Sequence, residues 1–201
     1  MKLVLAFLAV VFIIGTASIA IGIMIINDNV IGQAYEDVQS DLNTMRYFFN
    51  ERIHFKMRFL EYLSYLETIR GAVLSGDRKL LYKKLKEVTQ EVEFDILTLA
   101  DSRGRVIVRA GNYERYGDDV RSDAYVQKVL LTGKSHYGYD VIRKEDLVKE
   151  GDDIAKKARI NIIPTPRARK IDRQIEERAL VLKASTPVLQ DGKIIGVIYG
   201  A

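Results

Sequence analysis

Asp118 and Asp119 place two carboxylates side by side, the residue type that general acid–base catalysis uses. Neighbours in an extended loop point apart, so this pair is not set to flank one bond. The sequence contains no P-loop, no G-x-S-x-G and no H-E-x-x-H. Cysteine is absent, which removes disulfides, thiolate metal sites and cysteine nucleophiles together. Two histidines, His54 and His136, are too few for a histidine metal site, and nothing implies a cofactor. The remaining chemistry is that of binding. Lys183 and Ser185 lie two residues apart and share one face of a strand. In "SHYGYDVI", alternation sets Tyr137 and Tyr139 on one face and His136 on the other. A tyrosine joins a flat apolar body to a polar tip. Tyr125, Tyr137 and Tyr139 therefore suit a pocket wall, and equally an ordinary half-buried surface.

These residues need strands to hold them. "FDILTLADSRGRVIVRA" (94–110) reads as a hairpin around Asp101-Ser-Arg-Gly104. The loop "GNYERYGDDV" leads to Ser122, a candidate N-cap for a short helix with Val126, Val129 and Leu130 on one face and Gly133 as its stop. "SHYGYDVI" (135–142) is a third strand. Residues 178–189 and 193–200 form a closing hairpin around Gln190-Asp191-Gly192. Ser75-Gly76-Asp77 starts a helix over about 78–93, with Leu81, Leu85 and Val88 apolar.

Upstream, Ile31, Tyr35, Val38, Leu42, Met45, Phe49, Ile53, Leu60, Leu63 and Leu66 step mostly by three or four, which predicts one long helix over 31–70. The stripe is close to a heptad repeat, so its membrane-proximal turns suit pairing with a second copy, while packing on its own domain is the plainer use. From Leu3 to Ile26 there is no charged residue. At ~1.5 Å per residue the run is long enough for a ~30 Å hydrocarbon core. A cleaved signal peptide is the rival, but the apolar run continues past the small residues Ser18 and Ala20 and is longer than such a segment needs. Lys2 before the span sets the N-terminus inside and residues 27–201 outside.

Residues 143–177 stand apart as a charged insertion between the third strand and the closing hairpin, carrying Pro164 and Pro166. Residues 143–178 hold 11 Lys+Arg against 8 Asp+Glu; apart from Lys2, the rest of the chain holds 19 of each. The positive excess of the outer region thus belongs to the insertion and its junction. Arg159, Arg167, Arg169, Arg173 and Arg178 suit anions, phospholipid headgroups, a lid or a partner, or simply a solvated loop. The whole chain carries only +4, so it gives no support to a nucleic-acid partner. Its 48% hydrophobic and 29% charged residues suit a globular domain with an appendage.

The order is anchor, long helix, short helix, two strands, loop and helix, strand, excursion, two strands. With "FDILTLADSRGRVIVRA", "YGDDVRSDAYVQKVLLTGKS" and "LVLKASTPVLQDGKIIGVIYGA", the chain resembles a Cache domain, the PAS-like extracytoplasmic sensor of bacterial histidine kinases and chemoreceptors. The resemblance covers about 27–201, and "DDIAKKARINIIPTPRARK" is similar to an insertion found in some kinase sensors. It implies an α+β fold: a transmembrane helix (1–26), a long signalling and dimerisation helix (27–75), and a PAS-like five-stranded antiparallel sheet with flanking helices (76–201). It also implies an inner-membrane homodimer, and a longer parent chain whose last strand runs on toward an output domain.

In citrate- and dicarboxylate-type Cache sensors, a basic residue after the second strand and basic or hydroxyl residues before the Pro of the fourth hold a ligand carboxylate. Those places are occupied here by Arg109, Lys183 and Ser185. Arg grips a carboxylate bidentately and Lys adds a point charge. The expected ligand is therefore a small organic anion. Tyr125, His136, Tyr137 and Tyr139 would line the pocket; the second and fourth strands, brought side by side, would aim Arg109 and Lys183 at one spot, and two like cations would leave it strained when empty. The plainer role for Arg109 and Lys183 is pairing with Asp118, Asp119 and Asp123. Two alternatives are a bitopic protein whose outer α/β domain docks a protein partner, and an anchored enzyme, against which the missing motifs speak.

Overall fold

The computed structural model describes residues 2–166, 169 and 172–201; for Lys2 and residues 27–29 it describes the backbone alone. Arg167 of the insertion lies outside the described residues. The uncharged N-terminal run forms helix α1, Lys2–Ile25. A π-helical turn, Ile26–Ile31, and helix α2, Gly32–Tyr65, follow. The chain divides into two compact units, Met1–Asn50 and Glu51–Ala201. Within the first, Tyr35, Val38, Leu42 and Met45 are exposed.

The second unit begins inside α2. Its later turns bury Ile53, Leu60 and Leu63. The single rod expected over 31–70 ends at Tyr65, because Leu66 adopts an extended backbone (φ −64°, ψ 124°) before α3, Glu67–Ser75. The break re-aims the chain so that Leu60 and Leu63 before it, and Ile69 and Ala72 after it, enter one core. Gly76 closes α3 with φ 71°, and Asp77 caps α4, Arg78–Val92, by accepting from the Leu80 amide at 3.0 Å.

Five antiparallel strands follow the predicted hairpins: β1 Leu97–Asp101, β2 Val106–Arg109, β3 His136–Ile142, β6 Ala179–Gln190 and β7 Lys193–Gly200. Their spatial order is β2-β1-β7-β6-β3. The β6–β7 turn places Asp191 and Gly192 at φ 50° and 74°, the left-handed pair that a tight hairpin turn demands. A second, two-stranded sheet joins β4, Ile160–Asn161, to β5, Ile175–Glu176, within the insertion.

Both faces of the main sheet are covered. On one, α2, α3 and α4 supply Leu60, Ile69, Leu81 and Leu85 against Leu99, Val108 and Ile198. On the other lie α5, Ala124–Thr132, and the insertion helices α6, Lys144–Glu150, and α7, Asp152–Lys157. Val126, Val129 and Leu147 meet Ile96, Val197 and Tyr199 there. Full burial of a residue such as Leu147 is worth about 1.5–3 kcal/mol, enough to seat a short helix. Asp123, not Ser122, caps α5, accepting from the amides of Tyr125 and Val126; both residue types cap well, and the geometry selects the second. Gly133 ends α5 in the left-handed region, as predicted.

Candidate ligand-binding site

One row of Cα partners crosses the sheet: Arg109 opposite Thr98, Thr98 opposite Tyr199, Tyr199 opposite Ser185, and Ser185 opposite His136. Cross-strand partners share a face, so this row looks toward α5 and α6. Lys183 stands two residues along β6 on the same face. Between these residues, the 118–124 segment and the insertion lies a cavity of about 410 Å³, lined by Arg109, Lys183 and Tyr199 among others. That size suits a small-molecule site.

Arg109 and Lys183 do reach one cavity, though not as neighbours. Strands β2 and β6 are separated by β1 and β7, so the expected side-by-side placement is corrected. The expected strain between bare cations is also corrected, because each cation has its own carboxylates. The Arg109 guanidinium, 1% exposed, donates from both terminal nitrogens to Asp118, at 2.7 and 2.9 Å. Its Nε donates to Glu150 Oε1 at 3.0 Å. Lys183, 4% exposed, donates to Asp123 and, at 3.3 Å, to Asp140. Its ammonium lies 5.2 Å from the Tyr199 ring centroid, a cation–π distance.

Glu150 is the centre of the buried network. Its carboxylate accepts from Thr98 Oγ1 at 2.5 Å, Arg109 Nε at 3.0 Å and Tyr199 Oη at 3.4 Å. Burial alone would lower the Arg109 guanidinium, but the hydrogen bonds to Asp118 and the charge of Glu150 hold it above the ordinary arginine value. The hydrogen bond from Arg109 holds the Asp118 carboxyl below its usual 3.8. Burial, then the neighbouring Glu150 charge, pushes the Tyr199 phenol well up. Asp118 and Asp119 serve different cations, Asp119 pairing with exposed Arg121 at 2.6 Å. Asp146 is held by Arg143 and Lys149. Around the cavity, Arg109, Arg143, Lys149 and Lys183 face six carboxylates, an acidic excess of two.

The other expected site residues lie elsewhere. Tyr137 and Tyr139, 42% and 56% exposed, occupy the opposite face of β3 and do not line this cavity. Tyr137 packs instead against His54, ring centroids 4.7 Å apart and planes tilted by 57°. His136 is on the cavity side of β3 but bonds Thr132 Oγ1 at 2.9 Å, away from the lining. Ser185 is fully buried in the row with no hydrogen-bond partner among the described residues, and it too is outside the lining. Tyr125 packs over β3 and donates to the Tyr139 carbonyl at 2.8 Å. Tyr199 supplies the aromatic wall assigned to Tyr137 or Tyr139. Glu150, Thr98, Tyr199 and Asp140 were not expected at the site. A polar residue at Thr98 in the apolar run "ILTLA" was the one signal the sequence offered.

A five-stranded antiparallel sheet, entered by a long helix and carrying a polar cavity under a loop and a short helix, defines a PAS-like sensor domain of the Cache class. Residues 33–199 match the family described as the double sensory domain of two-component sensor kinases, and the chain belongs to that family. Such domains are input modules rather than catalysts. Among solved structures, the sensor domain of the V. cholerae histidine kinase DctB is similar at a TM-score of 0.54 and 15% identity, a likeness of fold. The match covers 83% of this chain and 56% of that one, so the chain spans little more than half of that structure. No curated protein matches at a significant level.

Proposed function

We propose that the chain is the extracytoplasmic input part of a transmembrane signalling protein, binding a small organic anion in the cavity on the α5/α6 face of the sheet. The observation that carries this is the convergence of two buried cations, Arg109 and Lys183, on one cavity. A cavity with convergent basic groups favours a sensor over a docking module, whose centre would be filled. Helix α1 is long and apolar enough to cross a membrane, and it serves as the anchor, with residues 27–201 outside. A ligand can act only by favouring one of two arrangements, and α2, shared by both units, is the element that carries the difference. The exposed stripe Val38, Leu42 and Met45 pairs two copies into a homodimer.

The test is thermal shift and calorimetry of the full chain in detergent micelles against carboxylates, amino acids and inorganic anions. Ser122 is exposed and lines the cavity without touching the buried pairs. Wild type should bind at least one compound, and Ser122→Trp, which fills the space, should weaken that binding tenfold or more. A wild type indifferent to the whole panel, or equal binding by the variant, overturns the assignment.

A further inference from the structure

Glu150 is an unusual occupant of its place. It ends α6, where the helix dipole disfavours a negative charge. Its side chain is only 9% exposed, and burying a carboxylate is costly unless it is well paired. All three partners come from the sheet, one each from β1, β2 and β7: Thr98, Arg109 and Tyr199. Three donors from three strands aimed at one pair of oxygens make a site for a carboxylate of any origin. Here the carboxylate arrives on the insertion.

The docking of that segment is specific. A Cβ at Gly111 would stand against the Glu150 carbonyl, so the glycine admits the close approach of the insertion backbone. Leu147 is buried three residues before Glu150, and Gly151 joins α6 to α7 just after it. Of the polar contacts that α6 makes outside itself, the Glu150 carboxylate makes the buried ones, while the Lys144–Glu177 pair is solvent-exposed.

Charge decides how an anion can enter. The cavity already carries two more carboxylates than cations. A ligand that simply joined them would add to the excess. A ligand carboxylate that took the place of Glu150 would leave the balance around Arg109 unchanged. We propose that Thr98, Arg109 and Tyr199 form a carboxylate-binding subsite that Glu150 fills as a tethered surrogate, and that a free small carboxylate acts by exchanging with it and releasing α6. This rests on the cavity being the ligand site. Arg109 keeps Asp118 on its two terminal nitrogens throughout, and only its Nε changes partner. A tethered group competes at an effective concentration of millimolar order or higher, so removing it should raise affinity for the free anion.

Acetate is the probe, with the full chain in detergent micelles and sodium chloride of matched ionic strength as the control. Glu150→Ala should melt below wild type and recover with acetate but not chloride; wild type should need at least tenfold more acetate for any shift. Glu150→Gln fills the space with a neutral group and should not be rescued. If Glu150→Ala folds only with help, refolding yield in acetate against chloride reads the same equilibrium. Equal responses to the two salts, or rescue of Glu150→Gln to the same degree, overturn the surrogate. Binding of a panel compound by wild type without acetate rescue of Glu150→Ala removes the subsite and leaves the sensor cavity. Rescue without any panel binding removes the sensor cavity and leaves the subsite.

Discussion

The Tyr125 hydroxyl occupies the place where a Cβ at Gly138 would stand. The glycine lets the ring cross β3 closely enough to donate to the Tyr139 carbonyl. Lys183 lies opposite Gly138, so this contact sits beside one of the cavity's cations without lining the cavity itself. A single hydrogen bond of this kind is worth about 1 kcal/mol. Gly138→Ala and Tyr125→Phe should each cost about that much in denaturant unfolding, and the double variant little more than one of them. Full additivity would show that the two residues act separately.

Lys183 is the cation between Asp123 and Asp140. Removing one partner from a buried pair typically costs about 3–5 kcal/mol. Asp140 is a third exposed and softens the loss, so Lys183→Met should cost about 3 kcal/mol by the same unfolding measurement. Asp140→Asn in that background should restore part of it. A Lys183→Met protein as stable as wild type would mean that the pairing is absent.

Gly111→Ala drives a methyl group against the backbone carbonyl of Glu150. The sheet side is held by β1 and β2, so the insertion should yield. Amide hydrogen exchange across 144–157 should quicken tenfold or more, while 97–101 keeps its protection. Unchanged exchange in 144–157 would show that the close approach does not hold the insertion down.

The Asp118 carboxyl is held below 3.8 in the folded protein by its hydrogen bond from Arg109. A depressed folded value stabilises the fold above the unfolded pKa, and the gain is lost as pH falls through the folded one. Wild type should therefore melt above Asp118→Asn at about pH 7, and the gap should close below pH 3.8. A gap that persists unchanged into acid would exclude the pairing as its source.

Val38, Leu42 and Met45 form the exposed stripe of α2 within the first unit. Single cysteines at these positions should crosslink between copies in membranes more readily than cysteines at Gln39 or Asn43. Equal yields around the helix would rule out that interface.

Local chemistry made the strands legible. Asp101-Ser-Arg-Gly104 and Gln190-Asp191-Gly192 announce their turns, and period-two runs flank them. Alternation also separated His136 from Tyr137 and Tyr139 correctly. Which side became the cavity depended on where α5 and α6 settled, a long-range outcome that no run of β3 encodes. With helices on both faces, the polar–apolar contrast that usually marks the outer side was muted. Arg109 and Lys183 were singled out by their places in the Cache pattern and do line one cavity, and their carboxylates are the reason they are not bare. Asp118 and Asp123 stood in view as plain pairing partners. Glu150 did not, because it reaches Arg109 across 41 residues from inside a segment that reads as a solvated charged helix.

β7 lies at the centre of the sheet, with β1 on one side and β6 on the other. Of the five strands it is the last to be made, and Thr98, already opposite Arg109, finds its second partner only at Tyr199. On the ribosome, β1 and β2 can therefore form a hairpin early, but a gap remains beside them until the final hairpin emerges. Closing so long a loop carries an entropic cost before any contact repays it, and non-local pairing of this kind slows folding. Cavity, network and core are all completed by the same late hairpin, β6 and β7. The fold is thus assembled as a unit or not at all, and half-made chains expose a strand edge that chaperones must guard.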